Sequence, residues 1–595
     1  MSSVIRDTPL GQFVRFVTRN RVLQYPEEKT DFRLPDEWLD VVNSNKNKHS
    51  PSYTPSSDAS TLGTDEEKVQ AENVDEISSS EDVGSTGTKT PVEIPSDGKQ
   101  SAEDDIEQAI EKVKSMPIVP RRTADGTILV DWYSTDDPEN PQNWSKLRRF
   151  LVTLVLCVYT FVVYTSSAIY INSEPGVAKE FGVNATEASL GLALFVLGYG
   201  VGPLLWSPLS ELPSVGRNPV YFWTMLVFVI LSIPTALVSN YPGLMVLRFL
   251  QGFFGSPCLA NGGASLGDLY NDMHIPYALI AWVSAGYCGP ALGPLLSGFS
   301  VPVLGWRWSL LEILFAGSAI FPVMFAFLPE TSAATLLLQR ARRLRRLTGN
   351  PAFKSQSEID QQGMSSRDIF VDALIKPLEI TIKDPAILFV QLYTAVVYAT
   401  YYSFFESFPL VYPVYYGLTA GQIGLVFLAI LIACLLGAVV YASYIHFYMN
   451  PRIRAFGAPA PETRLVPALV AAVGPTAGLF IFAWTARPDI HWVVPTVGIT
   501  LYGSTVFVVF QCIFVYVPLS YPKYAASLFA GNDFFRSALA FAAVLFAPPL
   551  FEDLGVARGN SLLGGLSVVG IIGIWTLYLF GARLRSMSKF AISEE

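Results

Sequence analysis

The sequence predicts an all-α integral membrane protein with twelve transmembrane helices in two six-helix halves, and three observations carry that prediction. Only 15% of the 595 residues are charged, against about 25% in an average soluble protein. From Phe150 onward, apolar runs recur at the length a spanning helix needs, ~20 residues, and they group as six, a long basic loop, and six more. The third observation is a bias of cations to alternate connections, as the positive-inside rule requires.

Taken in order, residues 1–148 read as a cytoplasmic, largely disordered tail. Leu10 to Trp38 mixes apolar and basic positions (Phe13, Val14, Phe16, Val17, Val22, Leu23), a pattern equally suited to a short amphipathic helix at the membrane surface and to a segment packed on the transmembrane body. Residues 43–115 are rich in Ser, Thr, Asp, Glu and Lys with almost no aromatics, too little apolar surface to offset chain entropy. Residues 128–149 form a compact lead-in. Six spans then fall near 150–172, 188–210, 219–239, 243–266, 275–300 and 306–328, giving a first half over 149–329. A basic central loop over 330–384 carries Arg340, Arg342, Arg343, Arg345 and Arg346. The second half, 385–583, holds spans near 385–408, 420–446, 464–486, 491–517, 523–550 and 560–582, and a short tail follows from 584 to 595.

With the N-terminus inside, one face collects Lys146, Arg148, Arg149, Arg217, the central arginines, Arg452, Arg454, Arg464, Lys523, Arg583, Arg585 and Lys589; the opposite face receives Lys179, Arg307, Arg487 and Arg558. Both termini are therefore expected in the cytoplasm. The sequon Asn184-Ala-Thr186 falls on the outer side and is a glycosylation candidate, whereas Asn143-Trp-Ser145 falls inside and is not. No cleaved secretory signal is expected, so the first span directs insertion. The net charge of −9 belongs mostly to the front segment and says little about partners. Five cysteines (Cys157, Cys258, Cys288, Cys434, Cys512) lie singly in apolar runs, a pattern of buried thiols with neither disulfide nor zinc.

An ionisable side chain inside a bilayer costs at least ~2.5 kcal/mol, so each one asks for a reason. Arg248 lies inside the fourth span with Gln251, Gly252 and Gly255 on or beside its face; a fixed positive charge there suits proton coupling, and outward snorkelling is the structural alternative. Glu406 in span seven and Glu312 in span six are candidate proton carriers, or interfacial carboxylates. Span five contains GYCGPALGPLLSG: Gly286, Gly289, Gly293 and Gly298 clear a face for close approach, and Pro290 and Pro294 favour a bend, together suggesting a hinge between the halves. Glu211, Gly216 and Arg217 in the loop after span two, with Asp268 at the end of span four, suggest a cytoplasmic gate. Asp533 and Arg536, three apart on one helix face beside Asn532, read either as gate contacts or as a structural pair. Aromatics crowd span seven (Tyr393, Tyr398, Tyr401, Tyr402, Phe405), which with Gln251 gives candidates for a cavity lining; an interfacial belt explains the outermost equally well.

DPENPQNW at 137–144, the span-four arginine, GYCGPALGP, LPET with its basic continuation and GNDFFRS together resemble the fungal twelve-span drug:proton antiporters of the major facilitator superfamily, over essentially the whole chain. That resemblance implies the major facilitator fold, and assigns proton coupling to Arg248 and the antiporter motif to the span-five glycines and prolines. The loop after span two departs from the superfamily form, with Glu211 for the usual Asp and Ser207 for the leading Gly.

The expected function is proton-coupled export of diverse small, mostly apolar drugs across the plasma membrane. The energy source is a proton gradient, with no cofactor: no Gly-rich loop ends in Lys-Ser/Thr, and His49, His274, His446 and His491 show no metal spacing. No catalytic constellation appears, and the chain is read as no enzyme. Expected partners are small molecules, protons and lipid, with no nucleic acid, for a monomer. A polyamine or nutrient carrier on the same fold is the nearest alternative, and a non-transporting membrane sensor a more distant one.

Overall fold

The computed structural model describes residues 5–43, 115–123, 125–362, 375, 379–457, 459–521 and 525–588. Among these, twelve helices are long and apolar enough to cross a membrane, and we number them as spans one to twelve: Lys146–Phe181, Ala185–Glu211, Arg217–Leu237, Tyr241–Leu269, Ile275–Leu304, Arg307–Phe327, Pro385–Tyr416, Ala420–Phe456, Pro461–Thr485, Val493–Ser520, Ser527–Leu554 and Val556–Met587. Polar caps start several of them. Ser145 receives the Arg148 N–H ahead of span one, Asn240 that of Gly243 ahead of span four, and Asp384 those of Ala386 and Ile387 ahead of span seven. The Asn184 side chain accepts the Glu187 N–H at 2.7 Å while Glu187 accepts that of Asn184, so the sequon asparagine closes a capping box at the start of span two.

Burial separates inner from outer spans. The apolar windows of spans one, two, seven and ten are 67%, 67%, 76% and 72% buried, whereas those of spans six and twelve are 28% buried. Spans six and twelve accordingly present Phe315, Phe327, Ile572 and Leu579 outward as lipid-facing side chains.

The span-five glycine face divides between two neighbours, span one of its own half and span eight of the other. A Cβ at Gly289 would lie 2.9 Å from the Thr165 nitrogen, and one at Gly293 would lie 2.7 Å from that of Ile169; Gly286 faces the Tyr164 ring. All three contacts are with span one. The other half is met where Gly298 faces the Ala420 carbonyl and Gly424 of span eight sits on the Pro294–Leu295 backbone, and also at Tyr287, which reaches Gly503 of span ten. Pro290 and Pro294 remain within one continuous helix, Ile275–Leu304. Because backbone opposes Gly293, Gly293→Leu must push spans one and five apart; we expect loss of ~3 kcal/mol or more of stability, read as a fall in thermal midpoint and monodispersity in detergent. Gly565→Ala in span twelve, with open space around it and no positive φ, serves as the milder comparison.

The front segment is more ordered than its composition suggested. Pro9–Val17 is an α-helix, Pro26–Glu28 a 3-10 turn, and strand β1 (Ile128–Leu129) pairs in parallel with β2 (Phe353–Lys354) beyond the central loop. The central loop itself contains the helix Ala333–Thr348. Its Arg340 and Arg343 are buried and hold Glu139 at 3.0 Å each, Arg343 also reaching Glu27 at 3.0 Å. These charges are far apart in sequence, so local pattern did not disclose the pairing. Residues 44–114 of the expected disordered stretch lie outside the described residues. The described residues 33–43, 115–122 and 132–137 belong to a second compact unit; within it Trp38 donates to the Ile118 carbonyl at 2.9 Å and packs edge-on to Tyr133.

Candidate functional site: a central aromatic cavity

A cavity lies between the halves of the transmembrane body, lined by spans one, four and five from the first and seven, ten and eleven from the second. Its walls are mostly rings: Trp282 and Tyr287 from span five, Tyr398 and Tyr401 from span seven, Phe510 and Phe514 from span ten. Each polar end is tied down. Trp282 donates to Thr160 Oγ1 at 3.1 Å and to the Cys258 carbonyl at 3.2 Å, and Tyr287 donates to the Gly503 carbonyl at 3.1 Å. Such fixed rings offer large apolar contact area and cation-attracting faces.

One charged pair faces this space. Asp533 and Arg536, on successive turns of span eleven, form a buried salt bridge; Arg536 also donates to the Tyr164 hydroxyl at 3.0 Å and lies 4.6 Å over the Tyr398 ring. Asn532 beside them donates to Gln391 Oε1 at 2.7 Å and Thr394 Oγ1 at 2.6 Å, which fixes it on span seven. The structure therefore sets Asp533 and Arg536 in the cavity wall as an ion pair that also touches the other half through Tyr164, apart from Glu211, Arg217 and Asp268.

The two ends of the cavity are closed differently. Toward the face opposite the arginine-rich one, the Tyr199 hydroxyl of span two meets those of Tyr398 at 2.7 Å and Tyr402 at 2.9 Å, and Tyr402 meets Ser167 Oγ of span one at 3.2 Å. These uncharged bonds join the halves. Toward the basic face, the Phe529 ring packs edge-on to Phe514 with centroids 5.6 Å apart, and it lines both this cavity and a second one that contains Glu211, Arg217 and Asp268. Phe529 thus borders both chambers, beside Trp282 packed on Gly263. Phe529→Ala is expected to widen the passage between them at a stability cost of ~3–5 kcal/mol, read by thermal unfolding, while passive leak of a small fluorescent substrate through proteoliposomes stays at the wild-type level because the tyrosine closure remains.

The second chamber contains the expected gate cluster. Arg217 Nε lies 2.6 Å from Asp268 Oδ2, and Glu211 interacts with both and bonds to Ser527 of span eleven, across the halves. Gly216, at φ +83°, begins span three and leaves room for Glu330, since a Cβ there would collide with its carboxylate. Glu330 accepts the backbone N–H groups of Arg217 and Asn218 at 3.2 and 3.1 Å and those of Thr331 and Ser332 at 3.0 and 2.8 Å. Burial opposes its ionisation and raises its pKa, with these donors acting against the rise. Its LPET context marked it in the sequence, but the helix it caps lies more than a hundred residues upstream.

Arg248 is fully buried and does not snorkel. It donates to the carbonyls of Gly191 at 3.0 Å, Ser166 at 3.1 Å and Ser167 at 3.4 Å, and its guanidinium is sandwiched between Tyr170 and Phe195 at 4.9 and 4.4 Å. Among the described residues, no carboxylate takes those donors. Glu174, just past the first span's main helix, lies within electrostatic reach of both Arg248 and Glu406. One oxygen of each glutamate is buried without a hydrogen-bond partner among the described residues. Sequence reasoning missed Glu174, which looks like an ordinary outer-loop acid beside Pro175. Glu312 is half-buried near Ser300 and Trp308 at the outer end of span six.

Two expected lining residues stand elsewhere. Gln251 donates to Ser232 Oγ at 2.9 Å inside the first half, and Tyr393 stacks on Phe389 and faces Gly570 of span twelve. Tyr398 and Tyr401 do line the cavity, and Tyr402 helps close it. The side chain of Phe405 lies outside the described residues.

Residues 156–544 match the Major Facilitator Superfamily. The chain is 51% identical to the MFS-type transporter pyvG of Aspergillus violaceofuscus, over 79% of this chain and 87% of that protein. It is 38% identical to the cycloheximide resistance protein of Candida maltosa (78% and 86% covered) and 36% identical to fluconazole resistance protein 1 of Saccharomyces cerevisiae (78% and 84% covered). Among solved structures, the proton:xylose symporter XylE bound to 6-bromo-6-deoxy-D-glucose shares the fold at 12% identity and a TM-score of 0.53, over 73% of this chain and 96% of that one.

Proposed function

This chain belongs to the Major Facilitator Superfamily, and on that premise we propose that it is a proton-coupled antiporter exporting small, mostly apolar drug-like compounds from the cytosol. The observation that carries the reading is the central cavity: rings from both halves surround it, and its one charged pair is internally neutral, so it favours flat apolar or weakly cationic guests over strongly charged or sugar-like ones. Relatives named for cycloheximide and fluconazole resistance support the same direction of transport.

Alternating access supplies the mechanism. The basic face lies in the cytosol of a plasma-membrane protein that works as a monomer, and substrate enters through the chamber beneath Phe529. Two carboxylic acids close together in a low-dielectric site resist ionising together, so Glu174 and Glu406, one from each half, hold a proton between them. Arg248 nearby favours the singly ionised state. Binding an external proton there weakens the link to Arg248 and permits the tyrosine closure to open outward. No nucleotide, metal or other cofactor enters the cycle.

The test is efflux of a fluorescent azole-like or rhodamine-like compound from de-energised yeast expressing the chain, with and without an imposed inward proton gradient. Gradient-dependent efflux supports the reading, and its loss in Glu406→Gln at equal surface expression places that carboxyl in the coupling. Efflux indifferent to the gradient removes the antiport mechanism. Gradient-driven accumulation inside the cells would instead favour a nutrient or polyamine importer.

A further inference from the structure

The helix Pro9–Val17 is folded inside out for a helix in water. Its charged side chain faces the protein: Arg15 is 5% exposed and forks onto Glu28 at 2.7 and 2.8 Å, while the exposed Gln12 reaches the Tyr25 hydroxyl with its amide at 3.1 Å. Its apolar side faces away, with Phe13, Phe16 and Val17 exposed by 59%, 83% and 62%. Spacings of three and four place these three on one stripe. A helix docked on a protein in water does the reverse, burying its phenylalanines and leaving its arginine outside. Exposed aromatic area of this kind marks a surface made for an apolar neighbour.

The position of the helix identifies the neighbour. It packs beside the basic-face ends of spans three and six. Pro9 and Gln12 share a groove with Pro219, Phe222 and Trp223 of span three, and the Glu330 N–H donates to the Asp7 carbonyl at 3.0 Å, just after span six. Trp223 and Phe327 next to it are exposed on the lipid-facing surface of those spans. The outward stripe therefore continues that surface around the membrane edge. Beyond the helix, Arg19 and Arg21 are exposed, and Arg19, Asn20 and Leu23 adopt positive φ, so the chain turns back sharply toward the buried Tyr25 with its cations left at the rim.

We propose that Pro9–Val17 lies flat in the leaflet at the basic face, with Phe13, Phe16 and Val17 sunk among the acyl chains and Arg19 and Arg21 at the head groups. Interfacial helices hold this posture when an apolar stripe is flanked by cations. The segment is thereby a second membrane attachment, separate from the twelve spans and pinned to the protein by Arg15, Tyr25 and Glu28. The proposal rests on the chain being embedded in a bilayer and is independent of what it transports.

The test uses the full chain with the photo-crosslinking residue benzoyl-phenylalanine in place of Phe16, an aromatic-for-aromatic exchange at an exposed site that leaves the fold in place. The protein is reconstituted into nanodiscs of phosphatidylcholine and phosphatidylglycerol, irradiated and analysed by mass spectrometry, with the same residue in place of Trp223 as the lipid-facing standard. Lipid adducts at position 16 at a yield comparable with position 223 are expected. A crosslink from position 16 to another part of this chain, such as residues 44–114, would overturn the proposal by showing a protein cover. So would an absence of lipid adducts at 16 when 223 gives them, which would place the stripe in water.

Discussion

Arg248→Lys will leave a folded protein at the membrane whose gradient-driven efflux per molecule falls at least about tenfold, a change of ~1.4 kcal/mol in the coupled step. The guanidinium bridges two carbonyl sets, Gly191 on span two and Ser166 and Ser167 on span one, from a slot between two aromatic faces. An ammonium keeps the charge but is a point donor and lacks the planar fork that spans both sets. Arg248→Ala will act more severely and less informatively. Three carbonyls lose a donor at about 1–3 kcal/mol for each buried group left unmet, so surface protein falls along with transport. Efflux normalised to surface protein, measured beside thermal unfolding in detergent, separates the two variants. Wild-type efflux in Arg248→Lys would show that any buried cation suffices.

Breaking the cavity pair should be costlier than removing it. Asp533→Asn leaves Arg536 as an uncompensated buried cation, a situation that costs about 3–5 kcal/mol. The Tyr164 hydroxyl and the Tyr398 face remain to it, but neither carries charge. Asp533→Asn combined with Arg536→Gln removes both charges and should recover most of the lost stability. The same logic reaches transport: a cavity bearing net positive charge repels cationic guests, so Asp533→Asn should lose a rhodamine-like cation before it loses a neutral azole. Thermal midpoints of the wild type, both single variants and the double variant form a cycle whose coupling energy measures the pair. Additive midpoints would mean that the two charges do not interact in the folded protein.

The spans were legible because lipid imposes one requirement at every position: about twenty apolar residues closed on their own hydrogen bonds. Candidate residues stood out where an ionisable side chain fell inside such a run, as with Arg248, Glu406 and the Asp533–Arg536 pair. Direction was not. Tyr393 and Tyr398 lie five apart on span seven, and that spacing gives no sign that one ring turns to span twelve and the other to the cavity. Gly289 and Gly293 announced a close contact, but the pattern is silent on which helix makes it. Cross-half partners such as Tyr199, and the pairing of Glu27 and Glu139 with the central arginines, depend on three-dimensional neighbours hundreds of residues away. Phe529 was hidden for the opposite reason, since one phenylalanine among 39 carries no compositional signal.

The anchored indole of the cavity wall has a spectroscopic consequence. Trp282 is one of eleven tryptophans, and among the described residues it is the one lining the central cavity. Its two hydrogen bonds, to Thr160 and the Cys258 carbonyl, hold its transition dipole at a fixed orientation. A guest that absorbs in the near ultraviolet and stacks against that wall will drain its excited state by resonance energy transfer over a few ångströms, whereas lipid-side tryptophans such as Trp223 and Trp484 remain much farther from the guest. The difference between the wild type and Trp282→Phe, titrated with such a compound, turns the protein's own emission into a direct readout of cavity occupancy, with no label and no need for transport to occur.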